Sequence, residues 1–366
     1  SRMLQLTRDR YRILIIPIFI FLFAFAGGTY GMFEEALSFT PIFVGLAMAL
    51  GYDAVTGYKA LVMATFKNFR TFCDMLNKAT PLLLCGLGIA ISFQGSIFNL
   101  GCEGQFYSGA LCATLVGIYM KNMPGWLLIT CMILAGAIGG AIWGGIAGFL
   151  KAKLQISELI STIMMNYIML KFVSYMIRGP IYDRAAGNQQ SFPIAEQAYM
   201  SDLIPGTRFH IGFIIAVLIA IIVYIILYRT YIGFEIRAVG LNRCAAEIAG
   251  IKVDKTIVST MLISGALAGI AGSIEISQTA HYLTDALSPG YGWTGIAVSI
   301  LAGHNPVGIL LTSLLFGFLS IGATAMQRVA DISSSFANVL KGLIILAVAI
   351  AVAMKTSEKA SKKEER

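Results

Sequence analysis

The stretch SIFNLGCEGQFYSG, from Ser96 to Gly109, places a glutamate, an asparagine, a glutamine and three glycines between two long apolar runs. The whole chain of 366 residues is 57% hydrophobic and 13% charged, with a mean hydropathy of +0.77. This composition is too apolar for a soluble domain. Several segments reach the roughly 20 apolar residues that a helix needs to cross a bilayer, whereas alternating ten-residue strands are absent. The sequence therefore predicts an all-α integral membrane protein, interrupted at this stretch.

Ten apolar segments are predicted to be transmembrane helices. They cover residues 13–26, 81–97, 104–120, 125–150, 156–177, 209–228, 257–280, 291–303, 307–327 and 336–354. A further apolar run at 37–50 is short and follows two glutamates. It is not counted as a separate crossing. It is either the continuation of a long first helix or a re-entrant segment. The more polar segments 51–77 and 178–208 are predicted to be outer loops, and interfacial helices within them remain open.

The distribution of positive charge predicts the orientation of these helices. Of the 27 Lys and Arg residues, 16 lie in the N-terminal segment, at Lys151 and Lys153, in the 229–256 loop and in the 355–366 tail. Alternating crossings place these four regions on one side, which is the cytoplasmic side by the positive-inside rule. We therefore expect one transmembrane domain, 1–366, with both termini, the 229–256 loop and the tail in the cytoplasm. Because the charge is sorted in this way, membrane lipid and not nucleic acid is the expected surrounding partner.

Two helices carry glycines at a spacing typical of close packing. Gly136, Gly140, Gly144 and Gly148 share one face of one segment, and Gly265 and Gly269 repeat the pattern in a later one. Small residues four apart allow two helix backbones to approach each other. The six cysteines and three histidines form no metal-ligand spacing, and no nucleotide-binding loop is present. We therefore predict no catalytic residue, no metal and no cofactor bound by this chain.

Carboxylates within apolar segments are the first candidates for functional residues, because burying a charge in a membrane is costly. Glu103 lies beside Asn99 and Gln105, where the glycines weaken a regular helix. A broken helix at membrane depth would line a cavity, and a tight polar turn between two spans is the alternative. Glu275 is expected to be interfacial, near an outer end.

Glu158 opens a helix in which polar side chains share one face. Ser161, Thr162 and Asn166 follow it at helical spacing, so this stripe is expected to face the interior of the bundle. Glu158 itself is either a path residue or a carboxylate that stabilises the helix N-terminus.

A second interruption lies in the other half of the chain, at SPGYGWTGIAVSILAGHNPVG from Ser288 to Gly308. Segments broken by Gly and Pro in both halves are typical of transporter binding sites. Trp293 would either stack on a flat ligand or anchor the helix at the membrane surface.

The loop YIGFEIRAVGLNRCAAEIAGIKVDK, from Tyr231 to Lys255, predicts short cytoplasmic helices. An amphipathic piece ends near Gly240, Asn242 is placed to cap a second helix, and Gly250 is placed to stop it. A short helix presented in this way suits a subunit that receives force from a partner, and an ordinary surface loop is the alternative.

Four motifs resemble one family, the permease subunits of ATP-binding-cassette importers for nucleosides and simple sugars, within the ribose and branched-chain amino-acid permease superfamily. The loop is similar to a RAVG-N--AA--AGI signature through Arg237 to Gly240, Asn242, Ala245, Ala246 and Ala249 to Ile251. FNLGCEGQ resembles the family's FN-G-EGQ element. ELISTIMMNYI and GWTGIAVSILAGHNPVGILL resemble two further segments, so the likeness spans residues 98–311.

The resemblance implies a ten-helix permease working as a pair of membrane subunits, identical or related. It also implies a cytoplasmic ATPase subunit that consumes ATP and an extracytoplasmic substrate-binding lipoprotein, at a bacterial-type plasma membrane. The expected translocation or substrate residues are Phe98, Asn99, Glu103, Gln105, Glu158, Asn166 and Trp293. The expected ATPase-coupling residues are Arg237, Gly240, Asn242, Ala245, Ala246 and Gly250.

The resemblance favours nucleosides as the substrate, with simple sugars as the alternative. A stand-alone ion-coupled transporter is the rival from another class, in which Glu103 or Glu158 would bind a proton or a cation.

Overall fold

The computed structural model describes residues 68–204 and 207–330. In this part the chain forms ten α-helices and isolated β-bridges but no extended strand, which confirms the all-α prediction. The helices are α1 (Phe69–Gln94), α2 (Cys102–Tyr119), α3 (Gly125–Leu154), α4 (Glu158–Arg178), α5 (Ile211–Arg229), α6 (Tyr231–Leu241), α7 (Arg243–Ile248), α8 (Val253–Glu275), α9 (Tyr291–Leu301) and α10 (Pro306–Ala330). A π-helical turn, Ile276–Ala280, continues α8.

Six of the described helices are long and apolar enough to cross a membrane. They are α1, α3, α4, α5, α8 with its π-helical turn, and α10 over Pro306–Ala325. The predicted spans at 13–26 and 336–354, and the run at 37–50, lie outside the described residues. The predicted total of ten crossings is therefore not confirmed.

The prediction of a full crossing at 291–303 is wrong. Helix α9 has 11 residues, which cover ~16 Å at 1.5 Å per residue, about half the hydrocarbon thickness. The glycines and proline on either side explain this length. Gly290 adopts a positive φ of 91° before the helix, Gly303 adopts 60° after it, and Pro306 starts the next helix.

The predicted loop at 51–77 is wrong from Phe69 onward, where α1 begins. Its first turns carry Arg70, Asp74 and Lys78 at four-residue spacing. Residues four apart share one helix face, so a charged stripe lowers the average hydropathy of a segment that is nevertheless helical.

Contacts define a compact unit from Ala79 to Ser313. The second unit comprises Ser1–Lys78 and Leu314–Arg366, of which the described residues are the first turns of α1 and the later part of α10. The site lies entirely in the first unit.

The predicted glycine ridges are confirmed as the packing surface of this unit. A Cβ on Gly140 of α3 would clash with the carbonyl oxygen of Gly265 in α8, and one on Gly269 would clash with the carbonyl oxygen of Gly136. A Cβ on Gly109 of α2 would meet the backbone of Gly269 as well. Because glycine has only a hydrogen atom in place of a side chain, the backbones of these three helices can pack in direct contact.

The links between helices of the first unit alternate between two ends. At one end, which we call the basic end, Lys153 pairs with Asp254 at 3.0 Å and Arg243 donates to the Ser96 carbonyl at 3.3 Å. At the opposite end, the Ile194 amide donates to the carbonyl oxygen of His281. The link between α4 and α5 therefore packs on the link between α8 and α9. This alternation agrees with the predicted order of crossings.

Candidate functional site

The interruption after α1 leads from the basic end to mid-depth of the first unit. Helix α1 ends at Gln94, and Ser96 adopts a positive φ of 54°. The chain then returns inward without helical structure, so that Asn99 is fully buried and donates to the Ser264 hydroxyl at 2.8 Å. Ser264 lies near the middle of the continuous helix Val253–Ala280. The non-helical part of the break therefore lies inside the protein.

The two amide side chains of the break hydrogen-bond to each other. Asn99 Nδ2 donates to Gln105 Oε1 at 3.0 Å, and Gln105 Nε2 donates to Asn99 Oδ1 at 3.1 Å. The Gly101 amide also donates to Asn99 Oδ1, at 2.9 Å. Because both side chains are buried and satisfied, their primary role in this conformation is to hold the non-helical segment in shape.

Asn166 on α4 caps the start of α2 from the side. Its Oδ1 accepts from the Gly104 amide at 2.7 Å, and its Nδ2 donates to the Leu100 carbonyl at 2.8 Å. Ser161 and Thr162 on the same stripe are buried too, so the prediction that this face of α4 points inward is confirmed. One asparagine thus satisfies a donor and an acceptor that the broken helix leaves open.

Glu103 joins the two broken helices. Its Oε2 accepts from the backbone amide of Gly292 at 2.7 Å, in the first turn of α9. Glu103 is 5% exposed. A carboxylate at a helix N-terminus is stabilised by the free amides and by the helix dipole, so α9 supplies the partner that a buried negative charge requires.

The two other carboxylates occupy different environments. Glu275 lies near the outer end of the continuous helix Val253–Ala280, as predicted, and its side chain faces the protein: it is 4% exposed and accepts a hydrogen bond from the Tyr291 hydroxyl at 3.4 Å. The π-helical turn after it extends α8 by five residues, which leaves Glu275 below the helix end. Glu158, in the first turn of α4, forms an ion pair with Lys151 of α3 at 2.7 Å. This favours the interpretation that Glu158 is a carboxylate stabilising the helix N-terminus.

The aromatic residues of the two breaks remain exposed. Phe98 is 51% exposed and Trp293 is 46% exposed. Phe98 packs edge-on against Phe93, with ring centroids 5.4 Å apart, and Phe93 packs edge-on against His304 at 5.0 Å. Burial lowers the pKa of His304 in the link before α10, so this ring is neutral at neutral pH. Among the predicted path residues in the breaks, Phe98 and Trp293 therefore have exposed side chains. The polar residues instead form hydrogen bonds within the protein.

Lys171 is a further candidate residue that the sequence motifs do not single out. This lysine lies within the apolar run YIMLKFVSYMI of α4, and its side chain is exposed on the surface of the first unit. A lone cation inside a predicted span is the signal that would have found it.

Helices α6 and α7 form a compact pair at the basic end, as the loop pattern predicts. The Asn242 side chain accepts from the Ala245 amide at 3.1 Å and caps α7. Gly250 adopts a φ of 85° after α7, which is the conformation that favours glycine at a helix end. The prediction of two short helices with this cap and this stop is confirmed.

The motif residues of the pair divide into buried and exposed sets. A Cβ on Gly240 would clash with the carbonyl oxygen of Gln94 at the end of α1, and Ala246 packs with Val239 and Ile251. Arg237 donates from Nε to the Gly233 carbonyl at 3.3 Å, within its own helix. The exposed set comprises Asn242, Ala245 and Gly250.

Two large apolar side chains are almost fully exposed on the helix pair. Leu241 is 88% exposed and Ile248 is 84% exposed, in a segment that is otherwise rich in polar residues. Solvent exposure of large apolar groups at a loop tip is typical of a protein contact surface. Cys244 lies between them in the chain and is exposed as well.

Comparison with known proteins accounts for this arrangement. The family model described as branched-chain amino acid transport system / permease component matches residues 71–352, which is more than half of the chain. The chain belongs to this permease family. A second model, C4-dicarboxylate anaerobic carrier, matches only residues 3–71. No solved structure matches the chain.

Relatives of this permease span almost its whole length. The guanosine ABC transporter permease protein NupP of Bacillus subtilis is 33% identical over 323 residues, covering 86% of this chain and 92% of the relative. The nucleoside ABC transporter permease protein NupB of Lactococcus lactis is 32% identical, covering 88% and 93%. The glucose ABC transporter permease protein TsgB13 of Haloferax volcanii is 29% identical, covering 82% of each chain. The chain is thus a multi-pass membrane permease of an ATP-binding-cassette system, as its four motifs indicate.

Proposed function

We propose that this permease carries nucleosides into the cell as the membrane-spanning subunit of an ATP-binding-cassette importer. The observation that carries the proposal is the similarity to guanosine and nucleoside permeases over 86% and 88% of the chain. The chain performs no chemistry itself. ATP is consumed by a separate cytoplasmic ATPase subunit, and a second permease subunit and an extracytoplasmic binding lipoprotein complete the importer.

The basic end faces the cytoplasm. Within the unit Ala79–Ser313, seven Lys and Arg residues lie at this end, namely Lys151, Lys153, Arg229, Arg237, Arg243, Lys252 and Lys255, against Lys121, Arg178, Arg184 and Arg208 at the other. This asymmetry is the one that the positive-inside rule associates with cytoplasmic loops. It supports the proposal that α6 and α7 lie where a cytoplasmic ATPase can reach them.

The ATPase binds the exposed surface of α7. Leu241 and Ile248 supply apolar side chains that association would remove from water. Gly240 and Ala246 point into the permease, so they transmit movement and do not contact the ATPase.

A continuous set of contacts leads from this docking surface to the break. Ala246 packs on Val239 of α6, and Gly240 of the same helix lies against the Gln94 carbonyl of α1. A shift of α7 therefore moves the end of α1, after which the non-helical segment begins. ATPase closure is expected to change the shape of the break by this route.

The polar residues of the break act as a frame for the path. Asn99, Gln105 and Asn166 hold the non-helical segment, and Glu103 attaches α9 to it. The exposed rings of Phe98 and Trp293 offer apolar surface to a nucleobase, as ligand sites with few polar groups do. Glu158 with its ion pair closes the helix end near the cytoplasm.

Reconstitution tests the proposal directly. The permease is co-expressed with its genomic neighbours that encode an ATPase, a second permease and a binding lipoprotein, and the purified complex is placed in liposomes. We expect ATP-dependent uptake of labelled guanosine or uridine, which excess unlabelled nucleoside abolishes and excess glucose does not. Uptake of sugar alone would overturn the nucleoside assignment. Uptake by the permease without any ATPase would overturn the importer assignment in favour of an ion-coupled carrier.

The second candidate is a simple-sugar permease, favoured by the 29% identity to the glucose permease over 82% of the chain. The same uptake assay separates the two, because each labelled substrate is competed only by its own class.

A further inference from the structure

Lys171 lies deep within a membrane-spanning helix. It follows Glu158 by 13 residues and precedes Arg178 by seven in α4, which corresponds to ~20 Å and ~10 Å along the helix axis. The side chain is exposed on the described surface, and it has no ion pair or hydrogen bond there. A free ammonium group at this depth requires a polar environment.

Lipid does not provide that environment. A lysine near a helix end extends its stem to the membrane surface, and for Lys171 the nearer end is that of Arg178. In an α-helix, however, side chains lean toward the N-terminus, which in α4 is the end of Glu158. The Cα–Cβ bond of Lys171 is therefore expected to tilt toward the middle of the membrane, so the stem would have to turn back to reach the nearer surface.

Contacts after Lys171 tie this part of α4 to the link that leads into α9. One turn further along α4, the Ser174 hydroxyl donates to Asp285 at 2.5 Å and Arg178 pairs with Asp285 at 3.3 Å. Ser174 is three residues after Lys171 and so shares its face. The link that leads into α9 thus lies over the Lys171 side of α4.

The depth of Lys171 also agrees with that of the break. Asn166 of α4 bonds to the Gly104 amide, and the adjacent Glu103 bonds to the Gly292 amide. The start of α9 and its exposed Trp293 therefore lie near the level of Asn166, and Lys171 is five residues, ~7 Å, further along α4.

Aromatic side chains accompany the lysine on the exposed surface of α4. Tyr167 is 58% exposed and Tyr175 is 64% exposed, and they lie four residues before and four residues after Lys171. Residues at this spacing are neighbours on one helix face. A cation between two tyrosines is suited to a polar ligand with a flat ring.

We propose that this face of α4 lines the water-filled path and that Lys171 binds the substrate. This assignment rests on the proposed function and narrows it to a substrate class. The ring nitrogen N7 and the 6-oxo oxygen of guanine are adjacent acceptors, which suit a lysine ammonium, whereas adenine carries an amino donor at position 6. Lys171 therefore selects 6-oxopurine nucleosides, such as guanosine and inosine, over adenosine, and Tyr167 supports the ring.

Uptake kinetics of three variants test the substrate contact. Lys171→Met keeps the length of the side chain and removes its charge, Lys171→Arg keeps the charge, and Lys121→Met makes the same change in the link between α2 and α3. We expect Lys171→Met to raise the KM for guanosine and inosine about tenfold, with little change for adenosine. Lys171→Arg should retain most of the preference and Lys121→Met all of it. An unchanged ratio of guanosine to adenosine uptake in Lys171→Met would overturn the substrate contact.

Accessibility of position 171 tests the path independently of the substrate. Lys171→Cys is made in the assembled importer after its six native cysteines have been replaced by serine or alanine. A membrane-impermeant, water-soluble thiol reagent should modify it, and the transported substrate should slow the modification. Absence of modification would show a lipid-facing side chain, and spontaneous cross-linking between permeases would show a subunit interface; either result overturns the inference. If sugar and not nucleoside protects the thiol, the path lining holds and the nucleoside proposal fails.

Discussion

The carboxylate of Glu103 and the backbone amide of Gly292 are joined by a hydrogen bond of 2.7 Å between residues 189 positions apart in the chain. This bond attaches the first turn of α2 to the first turn of α9. Both helices start inside the protein, so each has free amides that water cannot reach. The two interruptions of the sequence are thus parts of one structural joint.

Removing the charge of Glu103 is expected to weaken this joint. A glutamine at 103 still offers an oxygen to the Gly292 amide but loses the attraction of the helix dipole, which lowers the free energy of unfolding by about 1–2 kcal/mol. Thermal unfolding in detergent measures this change, with Glu247→Gln on the exposed surface of α7 as the control. Uptake per folded molecule should remain. Wild-type stability combined with lost uptake would instead show that the carboxylate acts on the substrate or carries a proton.

Asn166 is expected to contribute more to stability than its neighbours on the polar stripe. Asn166→Ala leaves the Gly104 amide and the Leu100 carbonyl without their side-chain partner, at a cost of about 1–3 kcal/mol for each buried group. Ser161→Ala is the matched control, because the Ser161 hydroxyl bonds only to the carbonyl oxygen of Glu158 in the preceding turn. We expect a clear loss of folded yield and thermal stability in the first variant and a minor change in the second. Equal stabilities would contradict the capping role.

Local rules explain which parts of the fold were predictable from sequence. The cap at Asn242, the stop at Gly250 and the ridge around Gly140 each follow from a short-range pattern whose physical cause acts within a few residues or along one helix face. The start of α1 and the length of α9 were not predictable in this way. Hydropathy is averaged over a window of residues. It therefore cannot distinguish a helix with a charged stripe on one face from a polar loop, or a helix that spans only half of the membrane from a full crossing.

The partners of the polar residues were also beyond the sequence. Asn99 and Gln105 are predicted to meet a substrate, and this stays a prediction; the fold additionally brings them within reach of each other and of Ser264. Glu275 is predicted near an outer end, and the fold buries it there against Tyr291. Which polar group bonds to which depends on long-range packing, and a single sequence does not encode this as a pattern.

Gly140 is expected to tolerate no larger side chain. Gly140→Val would push α3 away from the Gly265 carbonyl and the Gly269 backbone, with a loss of about 1–3 kcal/mol from overpacking alone. The neighbouring Ala141 is only partly buried, so Ala141→Val is a matched control with little expected effect. Folded yield by size-exclusion chromatography in detergent measures both. A monodisperse Gly140→Val protein with normal stability would contradict the ridge packing.

Binding of the ATPase and transmission of its movement are expected to be separable by mutation. Gly240→Ala disturbs the contact with the Gln94 carbonyl on the inner face of α6, so the ATPase should still co-purify while uptake falls severalfold or more. Leu241→Asp combined with Ile248→Asp changes only exposed side chains, so membrane insertion should persist while co-purification is lost. Pull-down of the ATPase and ATP-dependent uptake measure the two effects. Normal uptake in Gly240→Ala would contradict the transmission route.

Cys244 provides a natural probe of the docking surface. It is exposed on α7, whereas Cys73, Cys85 and Cys102 are buried. A water-soluble maleimide added to inside-out vesicles should therefore label Cys244 first, because a buried thiol reacts slowly. Since Cys244 lies between Leu241 and Ile248 in the chain, a bound ATPase should slow the labelling at least severalfold, and Cys244→Ser should remove the fast phase. Equal labelling rates with and without the ATPase would place its contact elsewhere. Labelling in right-side-out vesicles alone would reverse the orientation assigned from the basic end, because the reagent does not cross the bilayer.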